Sequence, residues 1–196
     1  QTAKEHDLYV LSDEIYEDYC HLGNPKQILT YGYEKSIVTK SFSKSFAMTG
    51  FRIGYAIAEP SIIEKMSKLQ ALSLTNVSEP IQYVASQVII RECGFEARQE
   101  NADIIEARLV RLVESAKDIG LEFIEPDGAM YLFARTKHKN FDATEFSEKL
   151  LEHGVAIAPG EGFGDYKEFF RITAIDETKL EEGMTILDTV LKESYG

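Results

Sequence analysis

The sequence predicts an α/β protein in two parts, strands with helices followed by an α+β unit. Short apolar runs bounded by polar or turn-forming residues in the first sixty positions predict strands. Apolar residues at helical spacing between 104 and 113 predict one long helix near the middle. Strand and helix patterns then alternate to the end. We expect domains at 1–93 and 94–196, the second starting in the long helix.

The first part contains three strand candidates, LYVLS (8–12), SIVTKSF (36–42) and RIGYAIA (52–58). Acidic residues follow the first at once, which is typical of a buried strand that ends at a polar edge. Residues 20–34 are rich in Gly, Pro, Asn and Tyr and predict a loop. Ser61 and Glu64 predict a capping box for a helix that begins near Pro60, and 81–90 predicts another helix.

The second part begins with a helix predicted over 95–118, with Gly120 as its C-cap. LEFIEP (121–126) and AMYLFAR (129–135) predict strands around a Pro-Asp-Gly turn. Asp142 and Asp176 each predict the N-terminus of a helix. VAIAPG (155–160) and FFRITAI (169–175) are further strand candidates.

Composition limits the possible partners. The net charge of −12 disfavours nucleic acid and anionic membranes, which an acidic surface repels. No apolar run reaches the length of a membrane span, and the first residues lack the order of a secretory signal. Cys20 and Cys93 lie far apart without metal-ligand spacing, so we expect no metal site and two free thiols in the cytoplasm.

The stretch SFSKSFAMTGFRIGY (41–55) places a lysine, Lys44, among small hydroxyl residues, with Arg52 eight positions later. Hydroxyl groups and a guanidinium can hold a phosphate near the lysine amine. A lysine can also act as a nucleophile or form a Schiff base. The alternative is an ordinary loop lysine on a serine-rich turn.

This stretch resembles the lysine signature of class I pyridoxal-phosphate aminotransferases, the aspartate aminotransferase family of fold type I. The pattern is satisfied at Ser41, Phe42, Ser43, Lys44, Ala47, Met48, Gly50, Arg52, Ile53 and Gly54. Two more family elements stand in the expected order, SDEIY (12–16) upstream and APGEGFG (158–164) with FFRIT (169–173) downstream. The resemblance covers essentially the whole chain and identifies it as the C-terminal half of such an enzyme. It implies an incomplete, mostly parallel sheet with helices from the large domain, followed by a small α+β C-terminal domain.

The resemblance implies that Lys44 carries pyridoxal 5'-phosphate as a Schiff base and then serves as general base and acid. Asp13 would keep the pyridine nitrogen of the cofactor protonated, because a nearby carboxylate favours the cation. Tyr16 would donate to the phenolic oxygen of the cofactor. Without the resemblance, Asp13 would be a solvated strand-end carboxylate, and Tyr16 a half-buried loop tyrosine.

The same resemblance implies that Ser41, Ser43 and Arg52 bind the cofactor phosphate, with Arg52 suited to it by its planar guanidinium. The Ser43 hydroxyl could instead cap the local backbone. Arg171 would pair with the α-carboxylate of the substrate. Its alternative is a strand residue whose charged end reaches the surface.

The implied reaction is amino-group transfer between an L-amino acid and a 2-oxo acid, in a protein that forms homodimers. The family's chains are about twice as long, and their Asn-Pro-Gly-type motif belongs to the first half, whereas the Asn-Pro pair here, at 24–25, follows SDEIY. We therefore expect a truncated chain that binds the cofactor weakly or not at all and does not transaminate alone. It should self-associate, or its first ninety residues should pack abnormally. The alternatives are a C–S lyase or synthase of the same fold and cofactor, or a non-catalytic assembly module.

Overall fold

The computed structural model describes residues 1–21, 23, 25–174 and 176–196, together with the backbone alone at Glu177. It divides the chain into two compact units, Gln1–Ala102 and Asp103–Gly196. The domain boundary predicted from the sequence, between residues 93 and 94, lies in the helix that spans this division. Asn24 of the Asn-Pro pair and Ile175 of the strand predicted over 169–175 lie outside the described residues.

The first unit is built on a three-stranded sheet in the order β1 (Val10–Asp13), β2 (Ser36–Ser41) and β3 (Gly54–Ile57). β1 and β2 are parallel, with Asp13 opposite Thr39. β3 runs antiparallel to β2 and places Gly54 opposite Ser41. The carboxyl ends of β1 and β2 and the amino end of β3 therefore meet at one edge of the sheet.

Two of the strand predictions need correction. β1 is not buried on both faces, since Leu11 is 68% exposed. Arg52 does not belong to β3: residues Thr49–Phe51 form a 3-10 helix, and Arg52 follows it with left-handed backbone angles, φ 53°. β3 begins at Gly54 because β2 comes very close there. A Cβ at Gly54 would lie 2.6 Å from the carbonyl oxygen of Lys40.

Helices α1 (Thr2–Glu5), α2 (Pro60–Leu74) and α3 (Glu79–Ile90) complete the first unit, together with the first part of α4 (Glu92–Asp118). The predicted capping box on α2 is wrong: Pro60 starts the helix, Glu59 is the N-cap residue, and no side chain caps it. Proline suits this position because it needs no amide hydrogen there. The loop predicted over 20–34 contains a 3-10 helix, Ile28–Tyr31. Four buried residues form the apolar cluster of this unit, Phe42, Met48, Ile53 and Ala85.

The second unit packs helices on one face of an antiparallel sheet, after the last part of α4. Its strands are β4 (Glu122–Phe123), β5 (Tyr131–Arg135), β6 (Ala158–Pro159) and β7 (Phe169–Thr173), in the order β4-β5-β7-β6. The helices α5 (Ala143–Glu152) and α6 (Glu177–Tyr195) cover the sheet together with α4. Their buried residues form one large core that includes Leu112, Leu132, Phe146, Phe170 and Leu187.

The helix boundaries of this unit follow the predicted signals. The Asp142 carboxylate accepts hydrogen bonds from the amides of Thr144 and Glu145, and the Asp176 carboxylate accepts one from Thr178. Gly120 follows α4 with φ 77°, a left-handed conformation that glycine adopts without strain. The apolar stripe predicted on α4 is buried from Ile105 onwards.

The described part of the chain has no group of side chains suited to a metal ion, and its two cysteines are free thiols. None of its helices is both long and apolar enough to cross a bilayer.

Candidate active site

The candidate site of the first unit lies where the carboxyl ends of two parallel strands meet. Asp13 is the last residue of β1 and Ser41 the last of β2, and these strands are hydrogen-bonded neighbours. Arg52 lies two residues before β3 starts at the same edge. In open α/β sheets, this edge is where ligands bind. The topology thus gathers residues that are up to forty positions apart in the sequence.

Asp13 is exposed at this edge. The Thr39 hydroxyl donates to Asp13 Oδ1 at 3.2 Å, across the parallel pairing of β1 and β2. A carboxylate accepts at two oxygens, so this bond orients the group and leaves it able to accept another donor. Asp13 is therefore a fixed, negatively charged acceptor.

Tyr16 and Lys44 face each other. Lys44 Nζ lies 5.6 Å from the centroid of the Tyr16 ring, within the range of a cation–π contact. Both side chains are half-buried. Tyr16 stands three residues beyond Asp13, so a single short segment supplies both a carboxylate and the ring that lies against the lysine amine.

The backbone around Lys44 forms a tight turn that side chains hold from outside. Three consecutive carbonyl oxygens accept hydrogen bonds from three separate side chains: Ser43 O from Thr49 Oγ1 at 2.8 Å, Lys44 O from Tyr19 Oη at 2.7 Å, and Ser45 O from Asn101 Nδ2 at 3.1 Å. The amide of Ala47 also donates to Lys44 O, at 3.0 Å. Ala47 has φ 52°, a conformation that costs a non-glycine residue about 1–2 kcal/mol.

Tyr19 is the most buried of these donors, with 3% of its surface exposed. Burial, and to a lesser extent the negative charge of Asp18, raises the pKa of Tyr19. Its hydroxyl therefore keeps its proton and its donor role throughout the neutral pH range. Arg98, on α4, pairs with Asp18 at 3.2 Å, so α4 also fixes the segment that carries Tyr19.

The three residues assigned to phosphate binding differ in what the fold does with them. The Ser41 hydroxyl accepts from the amide of Ser43 at 3.1 Å, so Ser41, rather than Ser43, caps the local backbone. Arg52 is exposed, and its Nη1 donates to Thr49 O at 2.9 Å. A guanidinium has five donor hydrogens, so one such bond leaves most of its capacity available.

An ion-pair triad joins β2 to the residues that follow β1. Lys40 Nζ bonds to Glu17 and lies 3.4 Å from Glu14 Oε2, and all three side chains are at most 16% exposed. Burial lowers the pKa of Lys40, but the hydrogen bond to Glu17 and the charges of Glu17 and Glu14 outweigh it and raise the pKa. Glu14 also accepts from the amide of Ile28 at 3.0 Å. The triad ties the segment that carries Tyr16 to β2.

Arg171 lies in the second unit, on β7, with its neighbours Phe170 and Ile172 buried in the core on the opposite face. Its guanidinium carbon lies 4.3 Å from the ring centroid of Tyr131 and 4.7 Å from that of Phe163. Its Nε is buried and has no hydrogen-bond partner among the residues described. The guanidinium is therefore held against two aromatic faces with a donor left unsatisfied.

Sequence reasoning missed the residues that support the site. Tyr19, Thr49 and Asn101 bond to backbone carbonyls, and such bonds leave no periodicity or motif in a sequence. Tyr131 and Phe163 follow strand and loop patterns that are equally compatible with a simple core. The acidic residues of SDEIYE were the one signal of the ion-pair triad, because partly buried carboxylates require a cation.

Comparison with known proteins places the chain in one family. The family profile described as "Aminotransferase class I and II" matches residues 1–187. Aspartate aminotransferase of Pyrococcus abyssi is 37% identical over 201 residues, covering 97% of this chain and 51% of that protein. Aromatic-amino-acid aminotransferase 2 of Thermococcus litoralis is 36% identical, with 97% and 51% covered.

A solved structure supports the same assignment. The crystal structure of an aromatic aminotransferase from Pyrococcus horikoshii superposes with a TM-score of 0.88 at 35% identity, covering 98% of this chain and 53% of that one. The chain thus spans about half the length of the relatives it matches, and its fold is that of the corresponding part of a fold type I aminotransferase, as predicted. It belongs to the class I and II aminotransferase family.

Proposed function

We propose that this chain carries the reactive lysine of an enzyme that transfers an amino group between an L-amino acid and a 2-oxo acid. The observation that carries the proposal is the position of the Lys44 amine, against the Tyr16 ring and at the sheet edge that also bears Asp13. The relatives named above are aminotransferases, which favours amino-group transfer over a C–S lyase, a synthase or a non-catalytic module.

The residues at this edge fit pyridoxal 5'-phosphate by the chemistry of their donor set. An amine suits an aldehyde, a carboxylate suits a protonated ring nitrogen, and a phenol suits a phenolic oxygen. Hydroxyls and a guanidinium suit a phosphate. When bound, the cofactor supplies a conjugated ring that stabilises negative charge on the substrate carbon.

Three side chains would act near the reacting atoms. Lys44 would hold the cofactor through its amine, and that amine would take and return the proton of the substrate α-carbon. Asp13, which accepts from Thr39, would keep the ring nitrogen of the cofactor protonated. Tyr16, whose ring lies against the Lys44 amine, would donate its hydroxyl hydrogen to the phenolic oxygen.

Ser41, Ser43 and Arg52 would bind the phosphate. Arg52 is the strongest candidate of the three, because it is exposed at the site edge and carries a planar fork of donors. Ser41 contributes less directly, since its hydroxyl already accepts from the Ser43 amide. It can still donate its own hydrogen to a phosphate oxygen.

Arg171 would bind the α-carboxylate of the substrate. The supporting observation is its buried Nε, which has no partner within the described part of the chain, although burying an unsatisfied donor is costly. A carboxylate accepts from Nε and one Nη together, in the two-bond geometry that arginine favours. The rings of Tyr131 and Phe163 hold the guanidinium plane for such a pairing.

The remaining assignments concern the whole protein. Residues 1–93 would belong to the cofactor-binding large domain and 94–196 to the small C-terminal domain of a full-length enzyme. That enzyme would act on an amino acid and a 2-oxo acid as a cytoplasmic homodimer. The free thiols of Cys20 and Cys93 are compatible with a reducing compartment. The names of the relatives include aspartate and aromatic amino acids, and either fits an arginine that binds only the α-carboxylate.

The test is to add pyridoxal phosphate to the purified chain, reduce with borohydride and locate the label by peptide mass spectrometry. We expect selective labelling of Lys44, abolished by Lys44→Ala and unchanged by the control Lys35→Ala, whose amine pairs with Asp7 instead. Labels spread evenly over surface lysines, with Lys44 no faster than Lys35, would contradict the proposal.

A further inference from the structure

The turn that carries Lys44 is held in an unusual way for a surface loop. Three successive carbonyls, those of Ser43, Lys44 and Ser45, each accept a side-chain hydrogen bond from a different part of the first unit. One donor precedes the turn by many residues, one follows it closely and one lies on α4. We propose that Tyr19, Thr49 and Asn101 are positioning residues that set the direction of the Lys44 amine.

The atoms of each peptide bond lie in one plane. The Ser43 carbonyl lies in the peptide plane before the Lys44 Cα, and the Lys44 carbonyl lies in the plane after it. Fixing both oxygens therefore fixes the two backbone angles of Lys44 and, with them, the direction of its Cα–Cβ bond. Thr49 holds the first plane and Tyr19 the second.

Asn101 extends this control by one residue. Its amide nitrogen donates to the Ser45 carbonyl, which fixes the next plane of the turn from α4. The turn needs such support, because Ala47 has φ 52°, which alanine seldom adopts unless its surroundings impose it. The three donors oppose relaxation of that residue, which would rotate the whole turn.

Two tyrosines that follow Asp13 contact Lys44, one at its side-chain amine and the other at its backbone carbonyl. The Tyr16 ring lies against the amine, and the Tyr19 hydroxyl binds the carbonyl of the same residue. Moving Tyr19 away would release the backbone of Lys44 while leaving its side-chain neighbour in place. A displacement of about 1 Å in a reacting group can reduce a rate by about a hundredfold. The hydroxyl of Tyr19 is therefore the donor with the largest expected effect.

This inference rests on the proposed function of Lys44, so its test has one arm that needs no cofactor. Hydrogen–deuterium exchange of the cofactor-free chain would be followed in peptides covering 41–54, in Tyr19→Phe, Thr49→Val and Asn101→Leu. Each variant removes a donor at nearly constant volume. Loss of one hydrogen bond should accelerate exchange in these peptides about fivefold.

The chain offers matched controls. The Tyr33 hydroxyl also bonds to backbone carbonyls, those of Ala3 at 3.0 Å and Leu8 at 2.7 Å. The Thr30 hydroxyl bonds to the Gln27 carbonyl at 2.7 Å. Tyr33→Phe and Thr30→Val therefore remove the same chemistry elsewhere in the first unit. They should leave exchange in 41–54 unchanged.

The second arm measures labelling by pyridoxal phosphate and borohydride, as the rate at Lys44 divided by that at Lys35. We expect Tyr19→Phe to lower this ratio about tenfold and Thr49→Val several-fold, since orientation of the amine governs bond formation. Two results would overturn the proposal. One is an equal loss of the labelling ratio in Tyr33→Phe, and the other is exchange in 41–54 that stays at the control rate in all three variants. If the unsubstituted chain labels Lys44 no faster than Lys35, the proposed function fails, and exchange alone decides whether the three donors hold the turn.

Discussion

The two units of this chain are stabilised by different kinds of interaction. Residues Asp103–Gly196 bury one large apolar core, in which Leu112, Leu132, Phe146 and Phe170 have no exposed surface. The described residues of Gln1–Ala102 bury a cluster of four apolar side chains. In this first unit, hydrogen bonds and ion pairs concentrate around Lys44 and Lys40 instead.

The first unit also leaves more large apolar side chains exposed than the second unit does. Leu72 of α2 is 85% exposed, Ile90 of α3 is 76% exposed and Leu11 of β1 is 68% exposed. In the second unit, Ile124 is the main comparable case, at 91%. Apolar packing and candidate chemistry are therefore separated: one unit holds most of the buried core, and the other holds Lys44, the lysine proposed to react.

The most direct test of this difference between the units is to divide the chain. A fragment of residues 92–196 should fold alone and unfold cooperatively in urea, because it keeps its whole core. A fragment of residues 1–91 should show no cooperative transition and should self-associate through its exposed apolar side chains. Circular dichroism and analytical ultracentrifugation measure both. A monomeric, cooperative 1–91 fragment would contradict the difference between the units.

A matched pair of phenylalanine truncations gives the next largest effect. Phe146→Ala should reduce the free energy of unfolding by about 3–5 kcal/mol, because Phe146 is fully buried in the second core. Phe95→Ala should change it by less than about 1 kcal/mol, because Phe95 is 63% exposed. Urea titrations of both variants would measure this, and a similar loss in both would show that the first unit is packed as tightly as the second.

Removing the cation of the ion-pair triad tests the polar side of the comparison. Lys40→Met should destabilise the first unit by about 1.5–3 kcal/mol, since it leaves Glu14 and Glu17 close together without their partner. Exchange should rise in peptides covering 13–17. Lys65→Met, on the exposed face of α2, is the control and should have no effect. Unchanged exchange in Lys40→Met would show that the triad does not hold this segment.

The smallest effect is a pH dependence in the second unit. Hydrogen bonds from the Thr178 hydroxyl and amide lower the pKa of Asp176 below its ordinary value of 3.8. A carboxyl group whose pKa is lowered by folding contributes stability above its unfolded pKa and loses it as the pH falls through the folded value. The urea midpoint of the 92–196 fragment should therefore decline as the pH falls below about 4. The urea midpoint of Asp176→Asn should decline less steeply with falling pH. An equal slope in both proteins would exclude a contribution from Asp176.

The sequence predicted the helices of the second unit well because apolar spacing and caps determine them locally. The strands predicted over 121–126 and 155–160 are shorter than expected, only Glu122–Phe123 and Ala158–Pro159. Asp142 and Asp176 start helices where expected, and the buried stripe of α4 follows its 3.6-residue period. In the first unit, Arg52 was misplaced in a strand because only contact with β2 shows that the strand begins at Gly54. Exposure of Leu11 was missed because an apolar run does not show whether the rest of the protein covers it.

The candidate site divides in the same way. The residues proposed to carry its chemistry, Lys44, Asp13 and Arg52, come from sequence motifs and stay predictions. Their orientation could not be predicted, because Tyr19 reaches Lys44 across 25 residues and Asn101 reaches Ser45 across 56. Hydrogen bonds to main-chain atoms do not depend on the identity of the accepting residue, so no pattern reveals them.

The triad of Glu14, Lys40 and Glu17 also has a thermal consequence. The hydration of charged groups becomes less favourable as the temperature rises, so withdrawing three of them from water costs less in a warm protein. The hydrophobic contribution per unit area levels off over the same range. On heating, the attachment of the Tyr16 segment to β2 should therefore strengthen relative to the apolar contacts around it.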